Sequence, residues 1–410
     1  SLQSTAVFVM IRADRNRNGK KGETMSLLVL CEPNYRNTAW CDVKLKGIRE
    51  EAARRRIPIS LYCSLDSLEA AAKHLAADSS VIVLYDSIAW IKRAASLISE
   101  LSVHAILSAN ELDIRLPITY SMVASDVDGA MKTAVDYLSQ CGKRRVALVG
   151  INRDSWNDMS RVQMLHRYMP DDAYDIFYLD DGFDECYTRY AAQAEKFDAV
   201  MCTNDHLAIG LNEFLKARGI NQRPFVLSYT DTYMARLYEN GVTSMSVSFY
   251  TAGRTMVETH CNRLKYGWVS ARIRLPSELK IRGSTHFFPY TEARPNTSAN
   301  PSVYENRGLG KLRTALSGPV GRLERLFGKS DLVDMKLMYC MLCGYSYEDM
   351  AEFCFLSIGT ARYRVGKIKQ ILGVTDKAAV ASLLGSYIKK ENLQKLILEI
   401  KEERETSVSY

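Results

Sequence analysis

The thirteen residues Gly359–Ile371 hold four basic side chains, Arg362, Arg364, Lys367 and Lys369, and no acid. On a helix such a run makes a positive rod: arginine reaches guanine edges, while lysine, with Thr360, holds phosphates. A solvated basic face on an adaptor helix is the plain alternative. Charge bookkeeping along the chain sharpens the choice. The net charge is +7, and Arg307–Lys390 alone carries 14 Lys+Arg against 7 Asp+Glu, so the remainder sums to zero. A basic tail region on a neutral body suggests a polyanionic partner for that region only.

Other chemistry is sparse. There is no P-loop, dinucleotide fingerprint, Gly-x-Ser-x-Gly elbow or His-rich metal set. The six histidines are dispersed, and only His206, beside Asp205, has a neighbour worth inspecting. Cys340 and Cys343 have metal-like spacing but no second pair, so two positions on a helix is the simpler account. The ten cysteines are scattered, many inside apolar stretches, and read as small buried hydrophobes of a reducing compartment. No catalytic residue, cofactor or metal is expected.

Two or three domains are needed to house 410 residues. From Met25 to about Tyr290, β-rich apolar runs (Leu27–Cys31, Val81–Tyr85, Val103–Leu107, Val146–Val149, Ala199–Cys202, Phe225–Tyr229) alternate with helical patterns (Val43–Arg55, Leu65–Ala77, Ala130–Leu138, Leu207–Arg218). That alternation predicts an α/β fold of doubly wound parallel sheets, and the number of strands predicts two similar lobes. Thr291–Gly310 reads as a linker. A basic helix at Lys311–Phe327 then leads into a compact helical block, Asp331–Tyr387. In the last segment Leu393, Leu396, Ile397 and Ile400 line one helix face, which fits either packing on the domain or pairing with a second subunit. No apolar run reaches the roughly 18 residues of a membrane span. Ala6–Ile11, a candidate edge strand, precedes its basic residues, opposite to the order in a secretory signal, so a cytoplasmic protein is expected.

Three segments of the body resemble the sensor domain of the lac repressor-like (LacI/GalR) regulators and the related periplasmic sugar-binding proteins. They are Ser125-Asp-Val-Asp-Gly-Ala130 with Cys141–Gly150; Phe197–Gly210, carrying Asn204-Asp205; and Phe225–Thr232 with Val242–Val247 and Phe249–Arg254. The resemblance implies a small polar effector, sugar-like or similar, bound between two lobes. In open α/β sheets ligands sit beyond the carboxyl ends of strands. Asn204, Asp205 and Asp231 are expected there, with Arg161 opening the helix after Val149. Trp40, Tyr85 and Trp156 are expected in loops after strands, where they offer stacking faces. Ser125, Thr230 and Val247 depart from the family pattern and imply a less polar pocket than a typical sugar site.

Leu337–Val374 resembles the LuxR-type helix-turn-helix in frame and without a gap. Ser346 and Asp349 make a capping-box-like start, Met350 and Ala351 face the core, Leu356 and Ser357 form the turn, and Ile358–Leu372 is the recognition helix, anchored by Ile368 and Leu372. The match places Arg362, Tyr363 and Lys367 nearest double-stranded DNA, with Ser357, Thr360, Arg364 and Lys369 in support. Arg364 stands where His is common. Gly366 is unusual inside this helix and costs about 1 kcal/mol against Ala.

The expected layout is a 1–24 extension, a 25–290 two-lobed periplasmic-binding-protein-like sensing body, a 291–329 linker and connecting helix, a 330–388 all-α LuxR-type block and a 389–410 helix. The whole implies a homodimeric, effector-responsive transcription regulator, not an enzyme. A solute-binding protein without DNA binding is the alternative. A lac repressor-like headpiece does not fit in the 24 residues before Met25, so the C-terminal block is expected to take its role.

Overall fold

A computed structural model of the chain describes residues 27–72, 79–110, 114–220, 224–267, 270–286 and 318–407. The expected strand at Ala6–Ile11, the 1–24 extension and the linker at 291–310 lie outside the described residues. The chain divides into two compact units, one of residues to Val127 with Asp154–Gln163 and Ser248–Pro276, the other of Asp128–Arg153, Met164–Val247 and Ser277 onward.

In the first unit β1 (Leu27–Cys31), β2 (Ile59–Tyr62), β3 (Ser80–Leu84), β4 (His104–Ser108), β5 (Tyr120–Ser125) and β11 (Arg272–Leu275) form a parallel sheet in the order β11-β5-β4-β3-β1-β2. Around it lie α1 (Pro33–Arg36), α2 (Ala39–Arg54), α3 (Leu65–Ala72), α4 (Ile88–Glu100), the start of α6 (Trp156–Tyr168) and α10 (Phe249–Tyr266). Leu27–Cys31 and Ser80–Leu84 are buried at every position, as a parallel sheet covered on both faces requires. Helices α2 and α10 cross at close range through two glycines. A Cβ on Gly47 would meet the Tyr250 carbonyl oxygen at 2.2 Å, and one on Gly253 the Lys44 carbonyl oxygen at 2.1 Å.

The second unit repeats the plan. β6 (Val146–Ile151), β7 (Tyr174–Tyr178), β8 (Ala199–Cys202), β9 (Val226–Thr230), β10 (Thr243–Ser246) and β12 (Glu278–Lys280) run in the order β12-β10-β9-β8-β6-β7, with only β12 antiparallel. Most of α5 (Val127–Gln140), then α7 (Phe183–Ala191), α8 (Asp205–Ala217) and α9 (Tyr233–Leu237), cover it. In both sheets the strand order reverses beside the first strand, at β1/β3 and at β6/β8, which is where such sheets open a crevice.

The same unit holds the C-terminal helices α11 (Pro319–Lys329), α12 (Leu332–Leu342), α13 (Tyr347–Cys354), α14 (Ile358–Leu372), α15 (Lys377–Tyr387) and α16 (Lys390–Ser407). One continuous apolar cluster runs from Val149 and Leu207 through Leu237 to Leu323, Phe327, Leu337, Ile368 and Leu393. Leu393 and Leu396 of α16 are buried in it, so that stripe packs on its own chain. The sequence pattern marked neither β7 nor the edge strands β11 and β12. β11 alternates exposed with half-buried residues, β12 is three residues long with a charged residue at each end, and in β7 Asp175 interrupts a short apolar stretch.

Candidate functional site

The carboxyl ends of the first sheet carry a dense polar and aromatic group. Glu32, directly after β1, accepts hydrogen bonds at Oε2 from the main-chain nitrogens of Asp86 (2.8 Å) and Ser87 (3.1 Å), and so bridges the β1/β3 switch point. Burial pushes its carboxyl above the ordinary range. Asp86 in turn accepts from Ser155 Oγ (2.9 Å) and Asn157 Nδ2 (2.7 Å). Tyr85 follows β3 directly, is fully buried, and meets Trp156 edge-on with ring centroids 5.6 Å apart. Trp156 Nε1 donates to the Asn110 carbonyl oxygen at 2.7 Å. The Tyr85 hydroxyl is a buried polar atom with no hydrogen-bond partner among the described residues.

Trp40 and Trp156 do not lie in loops as the sequence suggested. Trp40 is the second residue of α2 and Trp156 the first of α6, because Thr38 caps α2 and Ser155 turns the chain into α6. Arg161 does not open its helix either: it lies in the second turn of α6, buried, with Nη1 3.2 Å from Asp158 Oδ1.

In the second unit, Asn204 caps α8, its Oδ1 accepting from Leu207 N at 3.0 Å. Asp205, with no exposed surface, gathers Ser228 Oγ, Ser244 Oγ (2.6 Å), Thr230 Oγ1 (3.2 Å) and Thr232 N (2.7 Å). Its carboxyl is pushed up by burial against the pull of those donors. Asp231, held at φ 52°, is clasped by Arg282 Nη2 (2.6 Å) and Arg236 Nη2 (3.1 Å). Asp205 and Asp231 thus stand together in one network at the ends of β8 and β9. His206 is buried, and burial pushes its imidazole down to about 4, which keeps it neutral.

The helical block is built from helix caps and a buried core, and the Ser346–Asp349 cap lies where the sequence put it. Asp331 and Asp334 form a capping box at α12, and Ser346 and Asp349 form another at α13. Met350, Ala351, Ile368 and Leu372 are buried. Phe355, Leu356 and Ser357 link α13 to α14; Phe355 takes a left-handed conformation (φ 56°) and is 91% exposed. Ser357 Oγ caps α14 through Thr360 N at 3.1 Å and also meets Thr360 Oγ1 at 2.8 Å.

Three side chains stand out from α14. Arg362 leans over the Tyr347 ring, its guanidinium carbon 5.3 Å from the centroid. Tyr363 is 64% exposed, and Lys367 Nζ lies 4.7 Å from its ring centroid. Arg364 is placed otherwise than the basic run suggested. Its Nη1 is drawn back onto Asp331 (2.9 Å) and Asp334 (2.8 Å), the capping box of α12. Lys369 turns to the helix end, donating to the Thr375 carbonyl oxygen at 3.1 Å.

No sequence pattern marked the contact that joins this block to the second sheet. Glu324 of α11 is buried and accepts from the first N–H groups of α9, Tyr233 N (3.2 Å) and Met234 N (2.9 Å). Burial pushes its carboxyl up to about 7. Phe327 stacks on Tyr233, with centroids 6.1 Å apart. Asn392 Nδ2 donates to the carbonyl oxygens of Leu237 (3.1 Å) and Glu239 (2.7 Å), and Lys389 Nζ to Asn240 Oδ1 (2.9 Å).

Comparison with known proteins fits this architecture. Residues 135–285 match the family model described as a periplasmic binding protein-like domain. The chain carries a periplasmic-binding-protein-like body. Its relatives include the HTH-type transcriptional repressor PurR of Haemophilus influenzae strains PittEE and 86-028NP, each 24% identical over 166 residues, or 37% of this chain and 49% of the relative. The chain thus spans about half the length of the curated relatives it matches. Among solved structures, the transcriptional regulator CelR–cellobiose complex aligns with a TM-score of 0.53 at 20% identity, over 64% of this chain and 84% of that one. The Lac repressor bound to ONPG in its repressed state aligns with a TM-score of 0.53 at 17% identity, over 64% and 83%. A LacI family regulator from Enterococcus faecium with bound ribose aligns with a TM-score of 0.51 at 17% identity, over 63% and 98%. These likenesses establish the fold of the binding-protein-like body. Among the described residues no helix is long and apolar enough to cross a membrane, and no group of three or more His, Cys, Asp or Glu is placed to hold a metal.

Proposed function

We propose that the chain is an effector-responsive transcription regulator, with the binding-protein-like body as sensor and the C-terminal helices as a LuxR-type helix-turn-helix that binds double-stranded DNA. The observation that carries this reading is the outward face of α14, where Arg362, Tyr363 and Lys367 project from a helix fixed by a Ser357 cap and a buried Ala361–Val365–Ile368–Leu372 stripe. An exposed basic helix on a rigid scaffold suits a DNA groove. The PurR relatives, named as transcriptional repressors, support the reading.

A small polar effector, sugar-like or similar, binds at the carboxyl ends of the strands, with Trp40, Tyr85, Trp156 and Arg161 of the first unit and Asn204, Asp205 and Asp231 of the second as its proposed contacts. Asp231 and Thr232 stand immediately before α9, and Glu324 holds the start of α9 to α11. Effector contact with the β9 end therefore shifts α9, and α9 carries α11 and the helical block with it. A homodimer presents two such blocks to a two-fold operator, and the protein works in the cytoplasm.

Binding of the full-length protein to duplexes from its own promoter region, across a salt series, tests the reading. Specific binding that weakens steeply with salt and collapses in Arg362→Ala/Lys367→Ala is expected. Sequence-blind binding indifferent to both substitutions would sink it.

A further inference from the structure

Lys44 stands on the buried face of α2, in the stripe of Cys41, Leu45, Ile48 and Ala52, and is itself only 8% exposed. Its Nζ reaches the end of β4, donating to Ser108 Oγ (2.7 Å) and to Tyr35 Oη (2.8 Å), with the rings of Tyr35 and Phe249 each 5.3 Å away. An ammonium carries three donors, and two are taken. Among the described residues no carboxylate lies within ion-pair distance of it. Asp86, whose field reaches Lys44, is already bonded by Ser155 and Asn157.

A buried cation served only by hydroxyls and ring faces is expensive to hold, because neither replaces the water it has lost or supplies an opposite charge. Burial accordingly pushes the ammonium down to about 8. Ser108 ends β4 and α1 follows β1, so the head group lies at the crevice edge of the sheet, where ligands of such folds bind.

We propose that Lys44 is an oxyanion subsite: the effector carries a carboxylate or phosphate that takes the free donor of Lys44 and supplies the counter-charge that none of its contacting side chains provides. The inference rests on the effector reading above and narrows it to anionic ligands. Tyr35 and Ser108 position the ammonium, and Phe249 shields it from water.

The test uses the full chain labelled with 13C at the lysine ε-carbon. The Lys44 resonance is assigned by its loss in Lys44→Met, which extends the apolar stripe of α2. Lys44→Gln serves where the Met variant fails to fold. The probes are inorganic phosphate and the matched pair gluconate and glucose. Phosphate and gluconate are expected to move the Lys44 resonance and raise its titration midpoint. Gluconate should bind about tenfold or more tighter than glucose, a preference lost in the variant. Glucose stabilising wild type and variant alike, with Lys44 unmoved by either anion, overturns the oxyanion subsite and leaves the effector reading standing. If none of the three probes moves the Lys44 resonance or the melting temperature, the proposal is overturned and the effector reading itself loses support.

Discussion

Glu324 Oε2 lies 2.9 Å from the main-chain nitrogen of Met234, so a connector carboxylate caps a helix of the binding-protein-like body. A helix N-terminus stabilises negative charge, yet burial outweighs that pull and holds the acid up near 7.

The folded-state value lies above the ordinary 4.5, so between about 4.5 and 7 the folded chain binds the proton that the unfolded chain has released. This contribution is therefore fully present at low pH and is lost as pH rises through the window, by an amount on the order of 3 kcal/mol. Denaturant unfolding of wild type and Glu324→Gln across that range checks it. The difference in stability between the two should fall with rising pH and then level above 7. A flat difference would show that Glu324 does not titrate there.

Arg364 and its neighbours on α14 should separate into two classes. Arg364 is occupied by Asp331 and Asp334 and is partly exposed, so Arg364→Ala should lower stability by up to about 1 kcal/mol. Arg362→Ala and Lys367→Ala should leave melting unchanged and reduce DNA affinity, each phosphate deprived of its cation lowering the salt slope by about 1. Melting curves paired with fluorescence anisotropy on a promoter duplex read both quantities. Loss of the salt slope in Arg364→Ala at unchanged stability would reverse the assignment.

Much of this was legible in the sequence because period and caps are local signals. The fully buried strands announced themselves as apolar runs. Ser346, Asp349, Ala351, Ile368 and Leu372 were placed in the helical block by its resemblance to the LuxR-type helix-turn-helix, and their capping and burial follow that placement. Side-chain destinations were not legible. Arg364 sits among basic neighbours, and its two acids lie thirty or more residues earlier, brought back only by tertiary packing. Glu324 looked like one charge in a basic helix, and its partners are main-chain groups that any sequence possesses. Lys44 did leave a trace, as a charged residue within the apolar stripe of α2. Asp205 and Asp231 were placed by strand ends, but that Asp205 serves four internal donors could not be read before the fold brought Ser228 and Ser244 beside it.

Gly366 should reveal whether the outward face of α14 is read at close range. A Cβ there meets nothing within 4 Å, so the fold does not require glycine. Gly366→Ala should stabilise the chain by about 1 kcal/mol through helix propensity. On the proposed function it should also weaken duplex binding, since the added methyl group stands on the face shared with Arg362 and Tyr363. Higher melting temperature with unaltered DNA affinity would move the contact away from that face.

The same substitution at Gly253 should have the opposite sign. There the new Cβ would stand 2.1 Å from the Lys44 carbonyl oxygen and 3.0 Å from the Ile48 nitrogen, both main-chain atoms that cannot swing aside. Gly47, on the facing helix, has the Tyr250 carbonyl oxygen at 2.2 Å, so neither helix can retreat along its own surface. Alanine at 253 must push α2 from α10, opening the packing of Leu45 and Ile48 against Ala252 and Met256, at a cost of about 3 kcal/mol. Because Lys44 belongs to the displaced turn, its ammonium would also lose its register with Ser108. Thermal unfolding of Gly253→Ala beside Gly366→Ala checks the contrast. Equal shifts of the same sign in both would mean that the α2–α10 crossing yields more easily than its main-chain contacts imply.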